Sequence, residues 1–302
     1  MGYQLCIMAI GRCPEIQLSK DRYIQLRDAK RTLDLAGAIE EKFDLLMSNY
    51  LELEKEVLSL TAESMVASSP IYEGFADIRR ILNRRVANLL TAAKLYVAHM
   101  RQNVKSCDPD SSELGKEVEF LFEQKYDGSF EYRFMEALRN HVQHCGLAIH
   151  RTTKPSKWVG EGDSRRRSLG LRIFSERATL EESGKFKSSV LGEMPENVDL
   201  LVAARSYVSS LSLIQGDIRT LIDGKVREAR ECLEEAIKQY KTENNGQATG
   251  LVAISYAEGG GRPLKVIEKT SLLLDWDDVR IALSKKNRPA PGLDRSYVSG
   301  EI

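Results

Sequence analysis

Ala36, Ile39, Phe43, Leu46, Tyr50, Leu53, Val57 and Leu60 recur at alternating spacings of three and four. That period keeps one face of a helix apolar over several turns, so it predicts a long helix lying along a neighbour. Such a seam can join two copies or pack within one chain. Because the repeat stops after a few turns, packing inside one helical bundle is the expected use. Ser68-Ser69-Pro70 breaks the pattern. A second stripe, running from Ile78, Ile81 and Leu82 to Val97 and Met100, predicts a helix from about Phe75 to Asn103. Arg79, Arg80, Arg84 and Arg85 cluster near its start. Cations there oppose the helix dipole, so they form either a solvated polar face or a seat for an anionic partner.

A third helical region begins near Glu113 and is interrupted at Asp127-Gly128, after which Ser129 can cap a new start. Phe130, Phe134, Ala137, Leu138, Val142 and Cys145 give that second half an apolar stripe, and Gly146 offers a stop. From His150 to about Pro195 the helical period fades. Lys157-Trp158-Val159, Leu169 to Ser175 and Ser188 to Leu191 read as strands or extended loops, with Arg165-Arg166-Arg167 in a loop. A fourth helix is expected just after Pro195, with Gly216 and Gly224 as points where it bends or splits. Tyr3 to Ile10, Gly250 to Tyr256 and Leu264 to Leu274 read as strands, and the tail after Lys285 as loosely held. The expected fold is therefore mainly α, with an extended insertion before the last helix and a small β element near the termini. Its parts are a lead-in over 1–29, a helical domain over 30–240 with the insertion at about 150–195, a β element over 247–285 and a tail over 286–302.

Hydrophobic residues make up 42% of the chain and charged residues 29%, which is globular rather than disordered composition. Lys+Arg and Asp+Glu both total 44, so no global field draws the protein to nucleic acid or to an anionic membrane. Any RNA binding has to come from a local basic patch and to weaken steeply with salt. Cys6, Cys13, Cys107, Cys145 and Cys232 are scattered and never spaced as Cys-x-x-Cys, which fits a reducing compartment; cytoplasm is the expected location. The apolar run Leu5 to Ile10 is too short to span a bilayer and has no cationic start, so neither a membrane anchor nor a signal peptide is expected. Cys6 breaks the myristoylation pattern after Gly2. Gly259-Gly260-Gly261 lacks the following Lys-Ser/Thr of a phosphate-binding P-loop.

The chemically loaded stretch is Arg139-Asn140-His141-Val142-Gln143-His144. On a helix Asn140 and His144, four apart, share a face, and Arg139 has the reach to join them. An imidazole titrating near neutrality can take the proton of an RNA 2′-hydroxyl or return one to the 5′ leaving oxygen. A guanidinium fork can answer the charge that gathers on the phosphate's non-bridging oxygens, and an amide can fix its orientation. RNA carries its own nucleophile, so no metal or other cofactor is expected. A zinc reading of His141, His144, Cys145 and His150 lacks a second ligand pair.

Arg139, then polar Asn140, then three residues, then His144 resembles the motif of the HEPN superfamily (higher eukaryotes and prokaryotes nucleotide-binding domains). The stretches Glu136 to Gly146 and Asn88 to Tyr96 are similar to uncharacterised bacterial members. The resemblance covers the helical body, about residues 30–240. It implies a four-helix bundle with the motif at the end of the third helix. It also implies a homodimer in which two motifs face one site, and metal-independent endoribonuclease activity, often within toxin–antitoxin or anti-phage systems. His144 would be the general acid/base, Arg139 the transition-state clamp and Asn140 the phosphate positioner. The family also holds inactive members, so the competing expectation is a non-catalytic helical module in a defence or regulatory complex.

Overall fold

The computed structural model describes residues 1–8, 13–66, 71–162, 165–257 and 265–293. The protein is mainly helical with small antiparallel sheets. Strands β1 (Gly2–Ile7) and β2 (Ile16–Gln17) precede four helices: α1 (Lys20–Val66), α2 (Ile71–Cys107), α3 (Leu114–Gly128) and α4 (Phe130–His144). Then come β3 (Arg151–Thr153), β4 (Ser156–Val159), β5 (Arg166–Leu169), β6 (Arg172–Glu176), α5 (Arg177–Glu182), α6 (Ser188–Glu193) and β7 (Asn197–Asp199). The chain continues through α7 (Leu200–Glu243), β8 (Leu251–Tyr256), β9 (Val266–Ser271) and α8 (Asp275–Lys286). Among the described residues no helix is long and apolar enough to cross a membrane.

The chain groups into two compact units. The first comprises Met1–Glu41, His99–Val118 and Asp217–Asn287. Its sheet has the order β2-β1-β8-β9, so the N-terminal strand pairs with one far along the sequence, with Leu5 opposite Ala253. Leu5, Leu251 and Ala253 are fully buried, and Cys6, Val252 and Ile254 form a small cluster with Tyr256. Buried Glu40 of α1 receives a two-pronged Arg219 from α7 at 2.7 and 2.8 Å. Helix α8 is not predicted by the apolar pattern. Its signal lies in charge instead: Asp275, Asp277 and Asp278 fill its first turn and Lys285 and Lys286 its last, as the helix dipole favours.

The second unit comprises Lys42–Ala98, Glu119–Gly216 and Arg288–Ile302. Phe43, Leu46, Tyr50, Leu53, Val57 and Leu60 are all buried within this one chain, so the seam is used internally. Tyr96 packs its ring 5.7 Å from Phe43 and donates its hydroxyl to Gln215 at 2.9 Å. Glu54, 3% exposed, is held by both prongs of Arg205 at 2.7 and 2.8 Å. Lone charges at such depth are costly, so these guanidiniums make the buried carboxylates tolerable.

Several sequence expectations need correction. The third helical region divides after Gly128 as its sequence implies, so the Arg139–His144 motif ends the fourth helix of the chain, whereas the resemblance implies the third. The segment after Glu176 is not extended. Helices α5 and α6 occupy it, each too short to show an apolar period. The last long helix starts at Leu200 rather than beside Pro195. Asp199 caps it through Leu201 N at 3.0 Å, while Asn197–Asp199 pairs with β6. Gly216 and Gly224 do not interrupt it. Of the tail, the described residues 287–293 are tethered, for Ala290 N donates to Ser212 Oγ at 3.0 Å. Ser68-Ser69-Pro70 and Gly259-Gly260-Gly261 lie outside the described residues.

Asn83 of α2 joins this helix to the turn after α4. Its Oδ1 accepts from Ala148 N and Ile149 N, both at 3.0 Å, and its Nδ2 donates to Arg79 O at 2.9 Å. Ala148 and Ile149 are each 1% exposed, so in the native fold their N–H groups depend on Asn83. Asn83→Ala strands two buried N–H groups and is expected to cost about 2–4 kcal/mol. A urea midpoint unchanged from the parent would contradict this accounting.

Candidate functional site

Helix α4 is built as its sequence suggests. Ser129 Oγ accepts from Tyr132 N at 3.2 Å and closes its start. Tyr132, Phe134, Met135, Ala137, Leu138 and His141 form its buried face. Cys145 N and Gly146 N both turn back onto His141 O, at 2.8 and 3.2 Å, and close its end.

The expected site residues sit on the last turns. Asn140 and His144 are exposed. Arg139 lies low on the surface, its side chain 14% exposed. Its guanidinium stands 3.8 Å from Glu136 and donates to Gln143 Oε1 at 3.2 Å, while its Nε is buried without a partner. Glu136 in turn receives the hydroxyl of Tyr207, a fully buried residue of α7. Burial, and then the charge of Glu136, hold that phenol well above its ordinary range, so Tyr207 remains a proton donor. The structure thus brings Arg139, Glu136, Gln143 and Tyr207 together. Among the described residues of one chain, no hydrogen bond or ion pair joins Arg139 to Asn140 or His144.

Two clefts flank the end of α4. One, of about 370 Å³, is lined by Arg79, Arg80, Arg84, Asn83, Val142 and Leu147, among others. The arginine cluster of α2 divides here. Arg85 is taken by Glu52 and Glu56 at 2.5 and 2.8 Å, and Arg80 by Asp77 at 3.0 Å. No ion pair among the described residues engages Arg79 or Arg84, and both are exposed. The other cleft, of about 560 Å³, includes Arg79, His141, Cys145, His150, Glu176 and Glu182 in its lining.

His141 has no role in the motif, yet it is 5% exposed and its Nδ1 is buried without a partner. It falls three residues after Leu138 and four after Ala137, so the same helical period that nominates Val142 and Cys145 could have placed it on the buried stripe. Cys145, expected on that stripe, is instead exposed at the turn. His150 is locked by both nitrogens: Nε2 lies 3.0 Å from Leu147 O, and Nδ1 accepts from Glu176 N at 2.9 Å. Glu176 N can only donate, so Nδ1 is bare and Nε2 carries the proton. Among the described residues no three or more His, Cys, Asp or Glu side chains are grouped to hold a metal ion.

Comparison with models of protein families, with curated proteins and with solved structures finds no match for this chain.

Burial lowers the proton affinity of His150, and burial together with the neighbouring His150 lowers that of His141. The unfolded chain therefore binds protons first as pH falls, so stability is full above the ordinary histidine value and declines through the mildly acidic range. The urea midpoint is expected to drop between about pH 7.5 and about pH 5.5. His150→Gln, which can keep an acceptor and a donor without titrating, should flatten part of that drop. A midpoint that rises or stays level in the parent would contradict the assignment.

Proposed function

We propose that the protein is a metal-independent, HEPN-like endoribonuclease whose site is the exposed end of α4. The observation that carries this reading is the state of three side chains. The Arg139 guanidinium is oriented by Glu136 and Gln143, while Asn140 and His144 stand in solvent beside it on the same helix end. A cleft at the same helix end, lined on α4 by Val142 rather than by these three residues, holds Arg79 and Arg84 in no ion pair among the described residues and would add local positive charge to a chain of zero net charge.

In this reading the 2′-hydroxyl attacks the adjacent phosphorus and the bond to the 5′ oxygen breaks. The products are a 2′,3′-cyclic phosphate and a 5′-hydroxyl. One imidazole takes the 2′ proton and another returns one to the leaving oxygen, while Arg139 answers the charge on the phosphoryl oxygens and Asn140 orients the group. A single His144 cannot fill both proton roles in one pass, so a second copy of the chain supplies the other. The segments of α1, α2, α4 and α7 within the second unit would be the four helices of the bundle. An antitoxin or a defence complex would be the controlling partner. The competing reading keeps the bundle as a non-catalytic interaction module.

The test is incubation of the parent, His144→Ala and Arg139→Ala with single-stranded RNA in the presence of a chelator. Parent cleavage should survive chelation, fall by about 10²–10⁴ in each variant, and follow a bell-shaped pH profile. Variants that cut at the parent's rate, or a parent that never cuts, would give the ground to the interaction module.

A further inference from the structure

The insertion after α4 carries one β-ribbon, and its faces are chemically distinct. Pairing advances one for one from Arg151↔Phe174 to Thr153↔Arg172, then in unchanged register from Ser156↔Leu169 to Val159↔Arg166. The join is Pro155, which has no N–H to give; its carbonyl accepts from Gly170 N at 2.9 Å. Alternation then sorts the side chains. Thr152, Leu171 and Ile173 share the face whose apolar part is buried, and that face ends on Trp158 and Arg167 at the outer end. The opposite face presents Arg151, Lys157, Arg166 and Arg172, all exposed.

The charge is local and largely uncompensated. Residues 151–175 hold seven Lys/Arg against Glu161 and Asp163, in a chain whose total charge is zero. Glu176 answers Arg151 at 3.4 Å, but no ion pair among the described residues engages Lys157, Arg166 or Arg172. At the outer end Trp158 is 60% exposed, with the Arg165 guanidinium 5.3 Å from its ring centroid. Apart from that contact the indole is open to solvent. Cations alone would suit an acidic protein, a membrane or a duplex, whereas a flat aromatic face among cations suits unpaired bases strung on a phosphate backbone.

We propose that this ribbon is a binding arm for single-stranded RNA that wraps its outer end, with a base stacking on Trp158 on one face and the backbone crossing the ribbon edge to place phosphates on Lys157 and Arg166 of the other. Only Cys145–His150 separate the motif helix from the arm, and Asn83 and Ser175 pin that link, through Ala148 N and Ile149 N and through Ala148 O at 2.9 Å. A strand lying on the arm is thereby led to the end of α4. That it is RNA, and that it is led there to be cut, rests on the cleavage reading; the binding does not.

The test uses an uncleavable probe, a fluorescent 2′-O-methyl oligouridylate, with a duplex of equal length beside it and full-length protein throughout. Anisotropy titrations at two salt concentrations compare the parent, Trp158→Ala and the double variant Lys157→Glu/Arg166→Glu. Expected is about tenfold weaker binding for Trp158→Ala. The double variant should bind more weakly still, and its salt dependence should flatten by about 0.7 in log–log slope for each phosphate no longer neutralised. The duplex should bind more weakly and ignore Trp158→Ala. All three positions are exposed, so thermal midpoints should match the parent's; Lys157→Gln/Arg166→Gln replaces the double variant if they do not. Failure of the parent to bind, equal affinity in parent and variants, or a duplex held as tightly as the single strand would overturn the arm. Because the probe cannot be cut, an inactive parent that still binds it through Trp158 ends the cleavage reading alone, and active arm variants with parental affinity end the arm alone.

Discussion

Glu136 is a carboxylate only 20% exposed, and the groups that answer its charge fix the end of α4. Tyr207 reaches it from α7 as a buried donor, and Arg139 lies beside it one helical turn on. Each half of this arrangement needs the other. A carboxylate at that depth without company would be costly, and a guanidinium on an exposed helix end would otherwise sample many rotamers. The series of contacts from the core tyrosine to the surface arginine is therefore both a packing device and a way to hold a cation in one orientation. It also limits that cation, since part of its charge is already answered. On the proposed reading, phosphate binding there would need further positive groups.

A second constraint governs the segment beyond α4. The turn through Ala148 and Ile149 is buried, and its N–H groups are satisfied by Asn83 rather than by a sheet or helix. His150 continues the lock by spending both ring nitrogens on backbone groups. These polar contacts hold the base of the β-ribbon against α2 and α4. Neutral overall charge thus conceals strong segregation: paired acids and bases along the long helices, and cations without ion pairs among the described residues on the ribbon and at the head of α2.

The elements written in side-chain period are legible in the sequence. The seam of α1 is buried residue for residue, the stripe of α2 lies on one helix, and Ser129 caps α4 as its position implies. Elements without a period are not legible. Helices α5 and α6 are too short to repeat, and α8 is declared by its charged ends rather than by apolar spacing. Pairing of β1 with β8 joins segments far apart in the chain, and local spacing carries no information about such a partner. At the candidate site the spacing nominates Arg139, Asn140 and His144 but not the network that orients Arg139, because Tyr207 lies far along the chain. The burial of His141 is not legible, because a histidine beside His144 can equally face solvent, whereas here its imidazole packs edge-on to Phe186, with centroids 6.0 Å apart, as part of the core.

On the proposed reading, this helix end cuts RNA with the substrate's own 2′-hydroxyl as nucleophile. The termini of the fragments report on it most directly. Mass spectrometry of products formed under chelation should find 2′,3′-cyclic phosphate and 5′-hydroxyl ends. Fragments bearing 5′-phosphate and 3′-hydroxyl ends, formed only when a divalent cation is added, would contradict it.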